Sequence, residues 1–314
     1  MDNLFVVLIK FIPVLTMILL GALIRKIRLL KPETIQELKT ILINISLPSM
    51  FLLTFARTEF VPRYVLIFLA VFLVCLIMLI LGKGFSKKFC PGNAYYPSVF
   101  TGHENGMLGY ALFAAFFGAE NTYKLAIFDI GQVIFVFFVL VNFLGKQNGT
   151  NASVKQVILG FAKSPIILSM TAGIIISSTG LTSLLQNFEI TDSFVSVLTL
   201  LGNLTVPLIC IILGYELHIN TKNLLKPLMT VLLRMVLMLA FAFVINKFLV
   251  IGLLGLDKSF GLALFTMFLL PPPFVIPIFM GKDAVKEKND ILNVISVNIV
   301  MTLVAFLVLV SITA

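Results

Sequence analysis

Apolar residues in this chain come in long unbroken runs separated by short polar links. Ten runs stand out, at 4–24, 40–56, 64–82, 95–117, 125–145, 165–181, 194–214, 227–246, 259–281 and 291–313. A bilayer core about 30 Å thick takes about 20 residues of helix, which most of these runs supply. The runs do not alternate polar with apolar, as barrel strands would, so each predicts a helix that satisfies its own backbone in lipid. The expected fold class is all-α integral membrane, with ten transmembrane helices, here called segments 1–10. Segment 1 is too long for the apolar core of a cleavable signal peptide, about 7–15 residues, and its basic residues Arg25, Lys26 and Arg28 follow it rather than precede it. It reads as a first membrane helix.

Composition agrees. Of 314 residues, 60% are hydrophobic and 12% charged, about half the charge of a soluble domain. The formal net charge of +9 lies in the links, so it sets orientation and does not predict nucleic-acid binding. With the N-terminus outside, the outer links hold five basic residues (Arg57, Arg63, Lys124, Lys247 and Lys258), and the inner links hold sixteen. Both termini are therefore expected outside a cell membrane, with the 146–164 link inside. The sequons at Asn148 and Asn151 fall in that inner link, which argues against glycosylation. Cys75, Cys90 and Cys210 have neither disulfide-framework nor metal-ligand spacing. His103-Glu104 is not followed by the second histidine of HExxH, and no P-loop or GxSxG stands out. No enzyme, cofactor or metal site is expected.

The chain also repeats itself. Thr40-Ile-Leu-Ile-Asn44-Ile-Ser46-Leu-Pro48 and Thr199-Leu-Leu-Gly-Asn203-Leu-Thr205-Val-Pro207 both read T-x-L-x-N-x-[S/T]-x-P, 159 residues apart. This divides the chain into a first five-helix repeat (1–145), a link (146–164) and a second five-helix repeat (165–314). Five is odd, so the repeats enter the membrane from opposite sides, the inverted architecture of many secondary transporters. Asn44 and Asn203, each four residues before Pro48 or Pro207, are expected to repair carbonyls that the proline leaves without a donor, the alternative being a direct ligand role.

Two segments look broken. Segment 4 contains Thr101-Gly-His103-Glu104-Asn105-Gly106-Met-Leu-Gly109, and segment 9 contains Leu270-Pro271-Pro272-Pro273-Phe274-Val-Ile-Pro277. Phe117-Gly118-x-Glu120 and Met280-Gly281-x-Asp283 close the two segments alike, and align Gly109 with Pro272. A single kink is ordinary packing, but paired interruptions in corresponding segments point to a transporter's binding site. Half-helix N-termini there would offer N–H groups to an anion. The expected substrate-binding residues are Asn105, Gly106, Gly109, Pro272, Pro273, Phe274 and Pro277. His103 and Glu104 are candidates for coupling to protons, the alternative being that both face water at the inner end of segment 4. Asp129 and Gln132 could line the same cavity, or Asp129 could pair with a hydroxyl or a lysine. Arg234 is expected to form an internal salt bridge, to attract an anion, or to neutralise Glu104 or Asp129.

These motifs resemble the auxin efflux carrier family, which holds plant carriers and many bacterial permeases. Asn105-Gly-Met-Leu-Gly109-Tyr-Ala111 is similar to the family's N-x-x-x-G-x-P pattern, with Ala111 in place of the usual proline. Pro272-Pro-Phe-Val-Ile-Pro277 followed by Lys282-Asp283 is similar to its proline-bearing ninth helix, and Ser46-Leu-Pro48 to its second. The resemblance covers essentially the whole chain. It implies the fold of bile-acid symporters and sodium/proton antiporters, with segments 4 and 9 crossing beside the substrate; the paired breaks themselves predict Asn105 close to Pro272. It further implies a scaffold of segments 1, 2, 6 and 7, an elevator motion of the remainder, and often a homodimer. The plant carriers' long central loop is absent, so a compact permease is the nearer likeness. Its bacterial relatives are linked to malate and malonate, its plant relatives to auxin. The expected function is secondary transport of a small organic anion, a carboxylate. The alternatives are a symporter or antiporter coupled to protons or sodium through Glu104 and Asp129, and a membrane sensor that binds the ligand without transporting it.

Overall fold

A computed structural model describes residues 2–58, 61–147, 159, 163–180, 189–217, 224–281 and 284–313, and the described elements are helical. In chain order they are α1 (Asp2–Lys26), α2 (Pro32–Ile41), α3 (Leu47–Ala56), α4 (Val65–Phe89), α5 (Tyr110–Phe117), α6 (Thr122–Phe135), α7 (Val141–Gln147), α8 (Pro165–Ser178), α9 (Glu189–Asn203), α10 (Thr205–Glu216), α11 (Leu225–Ile245), α12 (Lys258–Leu269), α13 (Val275–Ile278) and α14 (Val285–Thr313).

Among the described residues, six continuous helical stretches are long and apolar enough to cross a membrane: Pro32–Ala56, Pro62–Phe89, Ala119–Gln147, Thr191–Glu216, Leu225–Leu253 and Val285–Thr313. The first begins before the apolar run at 40, because the polar turn bearing Glu33, Gln36 and Glu37 continues the same helix. In α4 one face, with Ile67, Val71, Val74 and Met78, is buried, yet the opposite face carries exposed Leu69, Leu73, Ile77 and Ile80. A helix apolar all round has no place against water and needs lipid on its open side. The chain is therefore an all-α, multi-pass membrane protein.

Two compact units emerge, and each draws on both sequence halves. The first holds 1–64, 106–123 and 159–217; the second holds 65–105, 124–158 and 218–314. In the first, α1 lies tight against α10. A Cβ on Gly21 would strike the backbone of Ile211, and one on Gly214 that of Ile18. Small residues permit this approach where lipid supplies little hydrophobic drive. α3 packs on α8 with Gly173 against Phe55, and on α9 with Gly202 against Met50.

The two halves of the T-x-L-x-N-x-[S/T]-x-P repeat disturb their helices differently. Before Pro48 the helix widens into a π turn over Leu42–Ser46, with the Leu47 N–H reaching the Leu42 carbonyl. Before Pro207 a turn at Leu204 separates α9 from α10. Asn44 does not repair the carbonyl freed by Pro48, which is its own; its amide donates to Thr40 O at 2.8 Å, a turn earlier. Widening the helix absorbs the proline without side-chain help. Asn203 is exposed.

Candidate functional site

Both segments expected to be broken are broken, and the parts that meet lie within the second unit. α12 stops at Leu269. Leu270 turns to an extended conformation (φ −66°, ψ 153°), as a residue before proline must, and Pro271 to Pro273 run buried to Phe274. The other break spans Thr101 to Glu104, from a 3-10 turn at Tyr96–Phe100 to a π turn at Asn105–Gly109. The Glu104 N–H donates to Pro271 O at 2.8 Å, joining the two breaks through backbone. Gly102 has φ +68°, and a Cβ there would lie 2.6 Å from Cγ of Pro273. Only glycine suits both the left-handed backbone and the closeness of the proline.

Broken helices leave orphan carbonyls, which must be satisfied away from water. Arg234, fully buried on α11, serves both breaks at once: Nη1 donates to Leu270 O at 2.6 Å and Nη2 to Gly102 O at 2.5 Å. These carbonyls, rather than a carboxylate, take its two terminal nitrogens, and a planar guanidinium fork suits two diverging acceptors. Thr302 of α14 donates to Leu269 O at 2.6 Å. Thr101 donates to Cys75 O at 2.5 Å.

Inside this frame lie the acidic and amide side chains. His103 is 1% and Glu104 8% exposed, so both are buried. Glu104 Oε2 accepts from the Phe274 N–H at 2.5 Å. Asp129, on α6, pairs with amides: its Oδ1 accepts from Asn105 Nδ2 at 2.6 Å and from Gln132 Nε2 at 3.1 Å. Gln132 Nε2 also holds His103 O at 2.6 Å. The His103 ring stacks on Phe268, with centroids 4.9 Å apart; it faces the Met267 carbonyl, but neither ring nitrogen reaches hydrogen-bond geometry. Asn105 Oδ1, Gln132 Oε1, Arg234 Nε and Asn298 Nδ2 are likewise buried without a hydrogen-bond partner in the protein. Such atoms cost about 1–3 kcal/mol each if left dry, so together they mark a place for water or a polar ligand.

Of the residues singled out from sequence, Asn105, Pro272, Pro273, Phe274, His103, Glu104, Asp129, Gln132 and Arg234 belong to this second unit. Gly106 and Gly109 belong to the first. Pro277 lies on the short α13, beyond the break. Lys282 and Asp283 fall outside the described residues. Sequence reasoning missed Thr302 and Asn298, both buried on α14 and one turn apart. Their spacing inside an apolar run was the available signal.

A buried polar centre assembled from two interrupted helices, in a chain whose described residues include six apolar helices of membrane-crossing length, defines a class: a polytopic all-α membrane protein with a buried polar centre. No family model matches this sequence, and no curated protein is similar to it.

Proposed function

We propose that this protein is a secondary transporter, a permease of the auxin efflux carrier type, that carries a small organic anion bearing a carboxylate. The single observation that supports this most is the meeting of the two interrupted segments around Asn105 and Phe274, with polar atoms buried and unpartnered beside them. Arg234 and Thr302 serve the orphan carbonyls of the breaks, but the unpartnered buried atoms of Asn105 and Gln132 serve none of them, and paired breaks of this kind mark binding sites in transporters. The substrate carboxylate takes the Asn105 amide and the backbone N–H of Phe274. Ten membrane helices in two inverted repeats, both termini outside and the 146–164 link inside, complete the reading. The compact units bear on an elevator: the first contains segments 1, 2, 6 and 7, the expected scaffold, together with 106–123 from segment 4, and the second contains Asn105 and Phe274. A homodimer fits that mechanism.

Asn105→Ala tests the site. Losing one hydrogen bond to a charged ligand group costs about 1.5–3 kcal/mol, or roughly ten- to a hundred-fold in affinity. Uptake of radiolabelled malonate, malate and indole-3-acetate into proteoliposomes should fall accordingly for the transported probe. Wild-type uptake by the variant would remove Asn105 from the site.

A further inference from the structure

Away from the broken segments, one face of α4 joins an apolar stripe to a pair of cations. Leu69, Leu73, Ile77 and Ile80 are exposed and follow one another at steps of three or four residues, and exposed Lys83 and Lys87 continue the same steps. The membrane-length stretch Pro62–Phe89 has 28 residues. At about 1.5 Å per residue it spans about 42 Å, which matches a bilayer with its headgroups, about 40–45 Å. The stripe therefore faces acyl chains, and the turns bearing Lys83 and Lys87 lie at headgroup depth. At that depth a cavity of about 440 Å³ opens, lined by Lys83, Ser86, Lys87, Asn93, Phe143 and Gln147 among others. Its size falls within that of small-molecule sites, about 300–1,000 Å³.

The walls of this cavity are fixed by the protein's own hydrogen bonds. The Cys90 N–H donates to Ser86 O at 2.9 Å, and the Ser86 hydroxyl donates to Lys83 O at 3.1 Å. Asn93, which is buried, accepts the Tyr95 N–H on Oδ1 at 3.1 Å and donates from Nδ2 to Glu287 O at 3.2 Å. The cations are what the walls leave uncommitted. Lys83 Nζ stands 5.6 Å from the centroid of the Phe143 ring, and neither Lys83 nor Lys87 has an ion-pair partner among the described residues. Among those residues no acidic side chain lines the cavity. Of the carboxylates nearby, Asp290 accepts from Cys90 Sγ at 3.5 Å, and Glu287 borders a separate cavity with Gly92 and Ala94. Two lysines without a counter-charge, set in a preformed polar cavity, suit a phosphate, which a lysine binds as a point charge. We propose that this cavity holds the phosphate of a net-negative phospholipid whose acyl chain lies along the exposed stripe of α4. The stripe favours a lipid over free phosphate, because it carries the apolar surface straight to the cations. Basic pockets between helices at the membrane boundary take anionic headgroups in this way. The site is separate from the carboxylate site and does not rest on transport.

The test uses the purified full chain in detergent and phosphatidylglycerol carrying a fluorophore on its acyl chain, with anisotropy read against protein-free micelles. The labelled lipid should bind saturably. Unlabelled phosphatidylglycerol should displace it, whereas phosphatidylcholine and millimolar inorganic phosphate should not. A lysine beside an anionic headgroup is worth about fivefold in affinity, so Lys83→Gln with Lys87→Gln should weaken binding roughly thirtyfold. Lys88→Gln with Lys146→Gln removes the same charge outside the cavity and should leave binding within a few-fold of wild type. Equal displacement by phosphatidylcholine, equal weakening in both double variants, or no binding above micelles would overturn the proposal. Displacement by inorganic phosphate would assign the cavity to free phosphate and overturn the lipid reading. Should a double variant fail to fold, photoreactive phosphatidylglycerol on the wild type decides. Label on residues 83–97 and 143–147 supports the site, and label confined elsewhere overturns it.

Discussion

Arg234 ties the two broken segments together with one side chain. It is fully buried, and its two terminal nitrogens hold a carbonyl from each broken segment. Hydrogen bonds from a charged donor contribute about 1.5–3 kcal/mol each, and the buried acceptors would be left unsatisfied without it. Arg234→Met, which keeps much of the apolar stem, should therefore lower the thermal unfolding temperature of the detergent-purified protein markedly. Arg234→Lys should recover only part of the loss, because one ammonium cannot span two diverging carbonyls as a planar fork does. An unchanged unfolding temperature in Arg234→Met would show that the breaks are held by something else. The sequence marked Arg234 as exceptional, since a charge in an apolar run is costly. It did not show the partner: an internal salt bridge, an anion, and Glu104 or Asp129 all stood open, and the terminal nitrogens hold backbone carbonyls. Nor did it show that Asn105 and Asp129 bind each other, because nothing local to either residue encodes a contact across 24 positions.

At the scale of elements, legibility follows chemistry. Three consecutive prolines remove three donors, and Gly102 beside polar neighbours interrupts an apolar helix, so both breaks can be read directly from sequence. The π turn before Pro48 could not be read, since a one-residue widening leaves the pattern of apolar positions almost unchanged. The start of α12 follows an ordinary capping rule. Asp257 accepts the N–H groups of Ser259 and Phe260 at the start of α12, and it also pairs with Lys124 at 3.0 Å. Partial burial would raise its carboxyl, but the Lys124 ammonium and the two N–H donors together hold it below the ordinary carboxylate value. A carboxyl lowered by folding contributes stability above its unfolded pKa, and loses that contribution as pH falls through the lowered, folded value. Asp257→Asn keeps a good cap but drops the charge, so its deficit in unfolding temperature should be present at neutral pH and vanish in acid. Asp257→Ala should lose the cap too, worth about 0.5–2 kcal/mol, at every pH. Thermal unfolding followed across pH checks both, and a deficit in Asp257→Asn that grows toward acid would contradict the assignment.

At the scale of the whole molecule, the division into compact units ignores the order of the chain. The backbone passes from one unit to the other between Asn105 and Gly106, inside the very segment whose interruption the sequence announces. Composition disclosed the membrane and the polar residues disclosed the site, but membership of the units arises from packing between distant segments, such as Gly21 against Ile211. The central claim is that the protein moves a carboxylate across the bilayer rather than merely binding one. It is tested most directly by time-resolved flux of radiolabelled malonate, malate and indole-3-acetate into liposomes containing the purified protein, with protein-free liposomes alongside. The account predicts saturable, protein-dependent accumulation of at least one probe, sharply reduced by Asn105→Ala. Flux equal to that of protein-free liposomes for all three, alongside binding to the same protein in nanodiscs, would contradict transport and leave a ligand sensor in its place.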